Sequence, residues 1–421
     1  MRANGRRCPT IICVLSDRMP IPRSSYLPFG RPSFTDDEIR AVTRVIESGW
    51  VGTGPETLKF ETELAEYLGA RRCVTVSSCT AALFLSLLVE GVTAGDEVVV
   101  PSLTWCSTAN AALYLGATPV LCDIDPATLC TTTDSVLDRV TARTRAVIVV
   151  HYGGRAVDVA ELRSNLPERV AIIEDAAHAM GASYPDGSLV GSSSNLTCFS
   201  FYANKNISTG EGGAVALPDN DKAERIRSLG LHGLSSTAWD RYTDPTALLR
   251  TTEIVELGYK MNYTDLQAAI GRVQLRRLGE MSAIRERIAN RYIERLDPSR
   301  TGIIFQDGCS ERSHARHLLV IRVQKNKYAM NRDELLLSLR SLNIGAAIHY
   351  KPLHQEPLYS QYSAANGLPN TDLVADEILT LPISASMDLE DVEYVTAQIC
   401  DLLRLEPVVD DLEVDQPVDP S

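Results

Sequence analysis

Lys205 follows an apolar-aromatic run at 198–202 and precedes a turn with glycines at 210, 212 and 213. That order places an amine at the end of a buried strand, beside backbone that can approach a ligand closely. A lysine partly withdrawn from water loses some preference for its charged form, and its amine can attack a carbonyl to form a Schiff base. One such lysine is more often a solvated turn residue, so three further strand ends decide the matter. Ser77-Ser78-Cys79-Thr80 stands where a strand gives way to a helix. It is either a plain N-cap or an anion site suited to phosphate, built from free amides, the helix dipole and the Thr80 hydroxyl. Trp105 follows a strand at 97–100 and either joins the core or stacks on a planar ring. The run 170–174 leads into Asp175 and His178, and a carboxylate ending so apolar a strand calls for a cation. No metal-ligand cluster accompanies it, so a protonated ring nitrogen is the fitting partner. Ser200 adds a hydroxyl on the side of Tyr202 if the strand alternates. A phosphate site, a ring-sized aromatic, a buried acid and an amine at four strand ends fit one ligand, pyridoxal phosphate.

The elements that must hold these residues alternate in kind. Strands are predicted at 73–76, 97–100, 119–123, 144–152, 170–174 and 198–202, with helices at 80–89, 108–115 and near 157–164. Continuously apolar strands alternating with helices indicate an α/β chain with a largely parallel sheet covered on both faces. Ahead of them, 33–47 reads as a helix capped by Ser33 or Thr35, and 57–68 as another, joined by a glycine-rich loop around Trp50. Behind them, helices are predicted at 221–229 and 264–279. A further helix at 281–295 crosses to a second, α+β unit with a strand at 318–323 and helices at 332–342 and 389–403. The division is therefore a large domain at 27–285 and a small one at 286–404. Residues 1–26 read as a disordered extension, since their apolar run is too short for a secretory signal. Residues 405–421 read as a disordered acidic tail.

A net charge of −13 leaves no basic surplus for nucleic acid. Ten cysteines without a C-x-x-C pair, several inside strand-like runs, indicate reduced core thiols and a cytoplasmic protein. No apolar run reaches 18 residues, so no membrane helix is predicted.

Seven motifs keep a fixed order: SGWVGTGP (48–55), SSCTAAL (77–83), PSLTWCSTANA (101–111), IIEDAAHAMGA (172–182), FSFYANKNISTGEGGAV (199–215), LGYKMNYTDLQAAIG (257–271) and HYKPLH (349–354). Over about 27–404 the chain resembles the DegT/DnrJ/EryC1/StrS family of pyridoxal-phosphate-dependent sugar aminotransferases. The resemblance implies the aspartate-aminotransferase-like fold type I, a mixed, mostly parallel seven-stranded sheet with a smaller C-terminal α+β domain. It implies that Lys205 is the Schiff-base lysine, that Asp175 partners the ring nitrogen, and that Trp105 stacks on the ring with His178 beside it. The Cys79 backbone, Thr80 and Ser200 match phosphate contacts. A homodimer is implied in which GYKMNY of the neighbouring subunit completes the pocket through either Lys260 or Asn262. Trp50, Tyr202 and His349 fall to the substrate, Tyr202 standing where histidine is frequent. The implied reaction moves an amino group from glutamate to a keto sugar carried on dTDP or UDP. C4 is favoured by TWCSTANA, GYKMNYTD and the segment HGL…WDRY (232–242). The presence of Lys205 sets the chain apart from the lysine-less deoxygenating branch, which carries histidine there. Amination at C3, a non-sugar cyclic ketone and a non-catalytic binder are the other readings; intact Lys205, Asp175 and Thr80 weigh against the last.

Overall fold

A computed structural model describes residues 22–235, 253–362 and 367–405. Helix α1 (Asp36–Ser48) starts at Thr35, not Ser33. The Thr35 hydroxyl accepts from the Asp37 N–H while the Glu38 carboxylate accepts from the Thr35 N–H, a reciprocal cap. Helix α2 (Pro55–Leu68) begins on a proline, whose missing N–H costs nothing there. The alternating core follows as β1 (Arg72–Val76), α3 (Cys79–Val89), β2 (Glu97–Pro101), α4 (Ser107–Leu113), β3 (Thr118–Cys122), α5 (Thr133–Leu137) and β4 (Thr144–Val150). It continues with α6 (Val159–Asn165), β5 (Ala171–Asp175), β6 (Leu196–Ser200), β7 (Gly213–Leu217) and α7 (Asn220–Leu229).

The seven strands form one sheet in the order β1-β7-β6-β5-β4-β2-β3. Pairs from β6 through β3 run parallel, whereas β7 runs antiparallel to both β6 and β1. The mixed, mostly parallel sheet is the one expected. Alternation explains its apolar strands: Val99, Val147 and Ile172 face one core with Phe60 and Phe199. Val98, Val100, Ile148 and Ile173 face the other with Leu83 and Leu87 of α3. Cys73, Cys122 and Cys198 are free thiols buried in β1, β3 and β6.

Gly213, placed in a turn by the sequence pattern, instead begins strand β7. A Cβ on Gly213 would stand 2.6 Å from the Ser78 carbonyl carbon and 2.7 Å from the Cys79 nitrogen. Glycine is thus what lets this strand lie against the start of α3. The predicted helices at 264–279 and 281–295 are one helix, Asp265–Leu296. Gly279 meets no neighbouring atom within 4 Å, and its modest propensity cost does not break a helix packed at both ends.

The far end of that helix enters the second unit. There Ile288, Tyr292 and Leu296 pack with an antiparallel sheet of β8 (Ile304–Phe305), β9 (Leu319–Arg322) and β10 (Ile378–Leu381). Helices Arg332–Ser341 and Leu389–Leu403 cover it, close to their predicted spans. Residues 22–26, placed by sequence in the leading extension, lie along this unit. The Arg23 N–H donates to the Leu342 carbonyl and the guanidinium pairs with Asp391 at 2.7 Å. Residues 1–21, 236–252 (most of the HGL…WDRY segment) and the tail at 406–421 lie outside the described residues. Among the described residues no helix is long and apolar enough to cross a membrane.

Candidate functional site

The carboxyl ends of β1, β2, β5 and β6 open on a cavity of about 480 Å³. Its floor is made by the start of α3. Ser78 caps that helix, accepting from the Ala81 N–H at 3.1 Å. The first-turn amides of Cys79 and Thr80 have no acceptor within the helix. The Thr80 hydroxyl donates to Ser107 at 3.0 Å, and both hydroxyls line the cavity with Ser200. Amide and hydroxyl donors at a helix start suit an oxyanion.

Asp175 ends β5 and is only 6% exposed. Its Oδ2 accepts from Thr108 at 2.8 Å, a hydroxyl itself paired with Thr104, and its Oδ1 accepts from the Ala177 N–H at 3.2 Å. The Cys79 thiol points at Oδ1 from 3.8 Å. These partners are hydroxyls, an amide and a thiol, none a cation. Burial accordingly raises the carboxyl above its ordinary range, against the bonds from Thr108 and Ala177. A cation brought to this wall would remove that penalty.

Strand alternation turns the preceding residue, Glu174, the other way. Fully buried, it accepts from His151 Nε2 at 2.8 Å, Tyr184 at 2.6 Å and Asn195 at 2.8 Å. Burial would raise Glu174, but these bonds outweigh it and hold the group below the ordinary carboxylate value. The two adjacent acids thus live in opposite environments.

Lys205 lies past β6 and is partly buried. Burial lowers the ammonium to about 8, while Cys79 and Asp175 pull the other way. Its Nζ is 3.3 Å from His317 Nε2. His178 Nδ1 accepts from the Gly153 N–H and its Nε2 stands 3.1 Å from the Tyr350 hydroxyl. Burial first, then Lys205 and His349, keep His178 well below its ordinary pKa. His349 is lowered to about 4 by burial and Lys205, and its Nδ1 lies 2.9 Å from the Thr380 hydroxyl. Trp105 stays 59% exposed at the mouth, its ring 5.6 Å from that of Tyr350. Tyr202 lines the same mouth.

The cavity therefore gathers Cys79, Thr80, Trp105, Asp175, His178, Ser200, Tyr202, Lys205 and His349. Trp50, Lys260 and Asn262 are not on its wall. The Trp50 indole donates to the Thr53 carbonyl at 3.0 Å, and Asn262 donates to the Thr53 hydroxyl at 2.8 Å. Lys260 is exposed and bridged to Leu231. The sequence reading gives no site role to Thr104, Ser107, Thr108, Tyr350 or His317. Thr108 and Ser107 lie in a quoted motif and Tyr350 directly follows His349, so position could have flagged them. His317 carried no such signal.

Comparison with known proteins agrees with this geometry. Residues 32–400 match the DegT/DnrJ/EryC1/StrS aminotransferase family. The chain is 40% identical over 390 residues to the spore coat polysaccharide biosynthesis protein SpsC of Bacillus subtilis (strain 168), covering 91% of this chain and 98% of SpsC. The crystal structure of the aminotransferase TlmJ from Streptoalloteichus hindustanus is similar with a TM-score of 0.81 at 34% identity, over 90% of this chain and 99% of TlmJ. Spr1654 from Streptococcus pneumoniae, in its PLP-form, gives a TM-score of 0.81 at 29% identity, over 90% of this chain and 99% of that one.

Proposed function

This chain belongs to the DegT/DnrJ/EryC1/StrS aminotransferase family, and on that premise we propose that it moves an amino group from glutamate to C4 of a keto sugar carried on a nucleoside diphosphate. It is a pyridoxal-phosphate-dependent aminotransferase. The observation that carries the reading is one cavity holding a lysine amine, a buried acid with no cationic hydrogen-bond partner, and a donor-rich helix start.

These residues fit the cofactor. Asp175 would hold the ring nitrogen protonated, which relieves its own buried charge. The Cys79 and Thr80 amides, with the hydroxyls of Thr80, Ser107 and Ser200, would hold the phosphate. Trp105 and His178 would flank the ring. Bound there, pyridoxal phosphate supplies the electron sink that lets a carbon next to nitrogen lose and regain a proton. Lys205 moves that proton: an amine with a pKa near 8 takes and returns it at little cost near neutral pH. Tyr202 and His349, also on the cavity wall, would face the substrate. A sugar is supported by the relative named for polysaccharide biosynthesis.

A second copy of the chain would complete the pocket. Trp50 and Asn262 meet at Thr53 off the cavity wall, and close to them in the chain Val51, Leu58, Ile254 and Leu257 are exposed apolar residues. Apolar surface of this kind on one molecule marks a contact face. The test is to assay the purified chain with glutamate against UDP- and dTDP-linked 3-keto and 4-keto sugars. Amination of a 4-keto sugar is expected. Turnover confined to 3-keto sugars or to non-sugar ketones overturns the substrate assignment.

A further inference from the structure

We infer that His317 is a positioning residue for Lys205, accepting the lysine N–H through Nε2 and keeping the proton on that amine whenever it is not bonded to the cofactor. This rests on the reading of Lys205 as the reacting amine. His317 precedes β9 by two residues, is 4% exposed, and has Nε2 at 3.3 Å from Lys205 Nζ. Its other ring nitrogen, Nδ1, is buried without a hydrogen-bond partner. Its ring lies 4.5 Å from that of His178, tilted by 39°.

The groups that act on His317 are Lys205, His178, Arg285 from the long helix, and His349; no carboxylate is among them. Arg285 is 2% exposed, and its guanidinium donates to the carbonyls of Arg316 and Ile383. Burial first, then Lys205 and the other neighbours, of which Lys205 and Arg285 are the cations, hold His317 neutral, with a pKa well below the ordinary value. An ammonium only donates, so the neutral ring must accept through Nε2 and carry its own proton on the unpartnered Nδ1. A ring that cannot become charged can aim the lysine without competing for its proton. Burial, then Cys79 on α3 and Asp175 at the end of β5, act on Lys205, and Lys205 in turn acts on the histidines 178, 317 and 349. An acceptor bonded to the charged form raises a pKa, so the His317 bond offsets part of the lowering caused by burial.

The experiment is competitive labelling of the cofactor-free full chain with acetic anhydride across pH, read at the Lys205 peptide by mass spectrometry. His317→Leu, which removes the acceptor, is expected to lower the midpoint from about 8 by about one unit, giving about ten-fold more free amine at pH 6. His317→Gln keeps an acceptor oxygen and is expected to restore the original curve. Curves for the parent chain and His317→Leu that superimpose overturn the inference, as does His317→Gln behaving like His317→Leu. The role of Lys205 itself is read separately, from turnover of Lys205→Ala.

Discussion

Lys205 and Asp175 face opposite electrostatic problems in one cavity. Burial weakens the hold of the lysine on its proton and penalises the charge of the acid, and a cofactor with a protonated ring and an aldehyde answers both. Lys205→Ala is expected to abolish turnover, by at least about a thousand-fold, together with the visible absorbance of the lysine-bound cofactor. Retained turnover refutes the assignment. Asp175→Asn is expected to bind the cofactor but lose roughly a hundred-fold or more in kcat, because a neutral amide cannot hold the ring proton. The lysine also leaves a mark on stability. Its folded value, about 8, lies below the ordinary 10.5, so the unfolded chain binds this proton more tightly. The penalty on folding is full below about 8 and fades as pH rises toward 10.5. Cofactor-free Lys205→Met should therefore unfold later than the parent at pH 7, by on the order of 1–2 kcal/mol after allowing for the water the amine still reaches, with the gain vanishing near pH 10.5. Chemical denaturation at both pH values checks this. Much of the site was legible because each residue follows its own apolar strand. His317 was not, since its contact with Lys205 spans 112 residues and only the closed fold makes it.

Strong local patterns made most elements readable. The cap at Thr35, the apolar strands and α3 need little beyond their own residues. Two elements were misread for the same reason: glycine locally signals a break, while tertiary contact decides otherwise. At Gly213 the absence of a side chain lets β7 lie on the start of α3. At Gly279 packing on both sides carries the helix through. Gly213→Ala is expected to push backbone against backbone, costing about 2–4 kcal/mol, and to weaken cofactor retention because the displaced atoms are those of Ser78 and Cys79. Thermal unfolding and cofactor titration measure the two effects. Gly279→Ala, in open space on a helix, should instead stabilise by up to about 1 kcal/mol.

At the scale of the molecule, the cavity draws on both units: Lys205, Asp175 and the donor-rich helix start belong to the large domain, while His349 and Tyr350 come from the chain beyond the long helix, as does His317 behind Lys205. Leu257, 83% exposed and three residues before Lys260, belongs to the face proposed to meet a second copy. Leu257→Glu is expected to shift the chain toward monomer in sedimentation and to lower kcat/KM about ten-fold or more, leaving the fold intact by circular dichroism. A monomer that keeps full turnover excludes a shared pocket. Helix Asp265–Leu296 joins the units without a joint. Its Leu275, Leu278 and Met281 are embedded in the core under the large sheet, and its Ile288, Tyr292 and Leu296 in that of the second unit. At 1.5 Å per residue it is a beam about 48 Å long, clamped at both ends. A beam so fixed transmits load rather than hinging, so the spacing between the amine and its histidines is set as in a truss, and heat should take both units down in one transition.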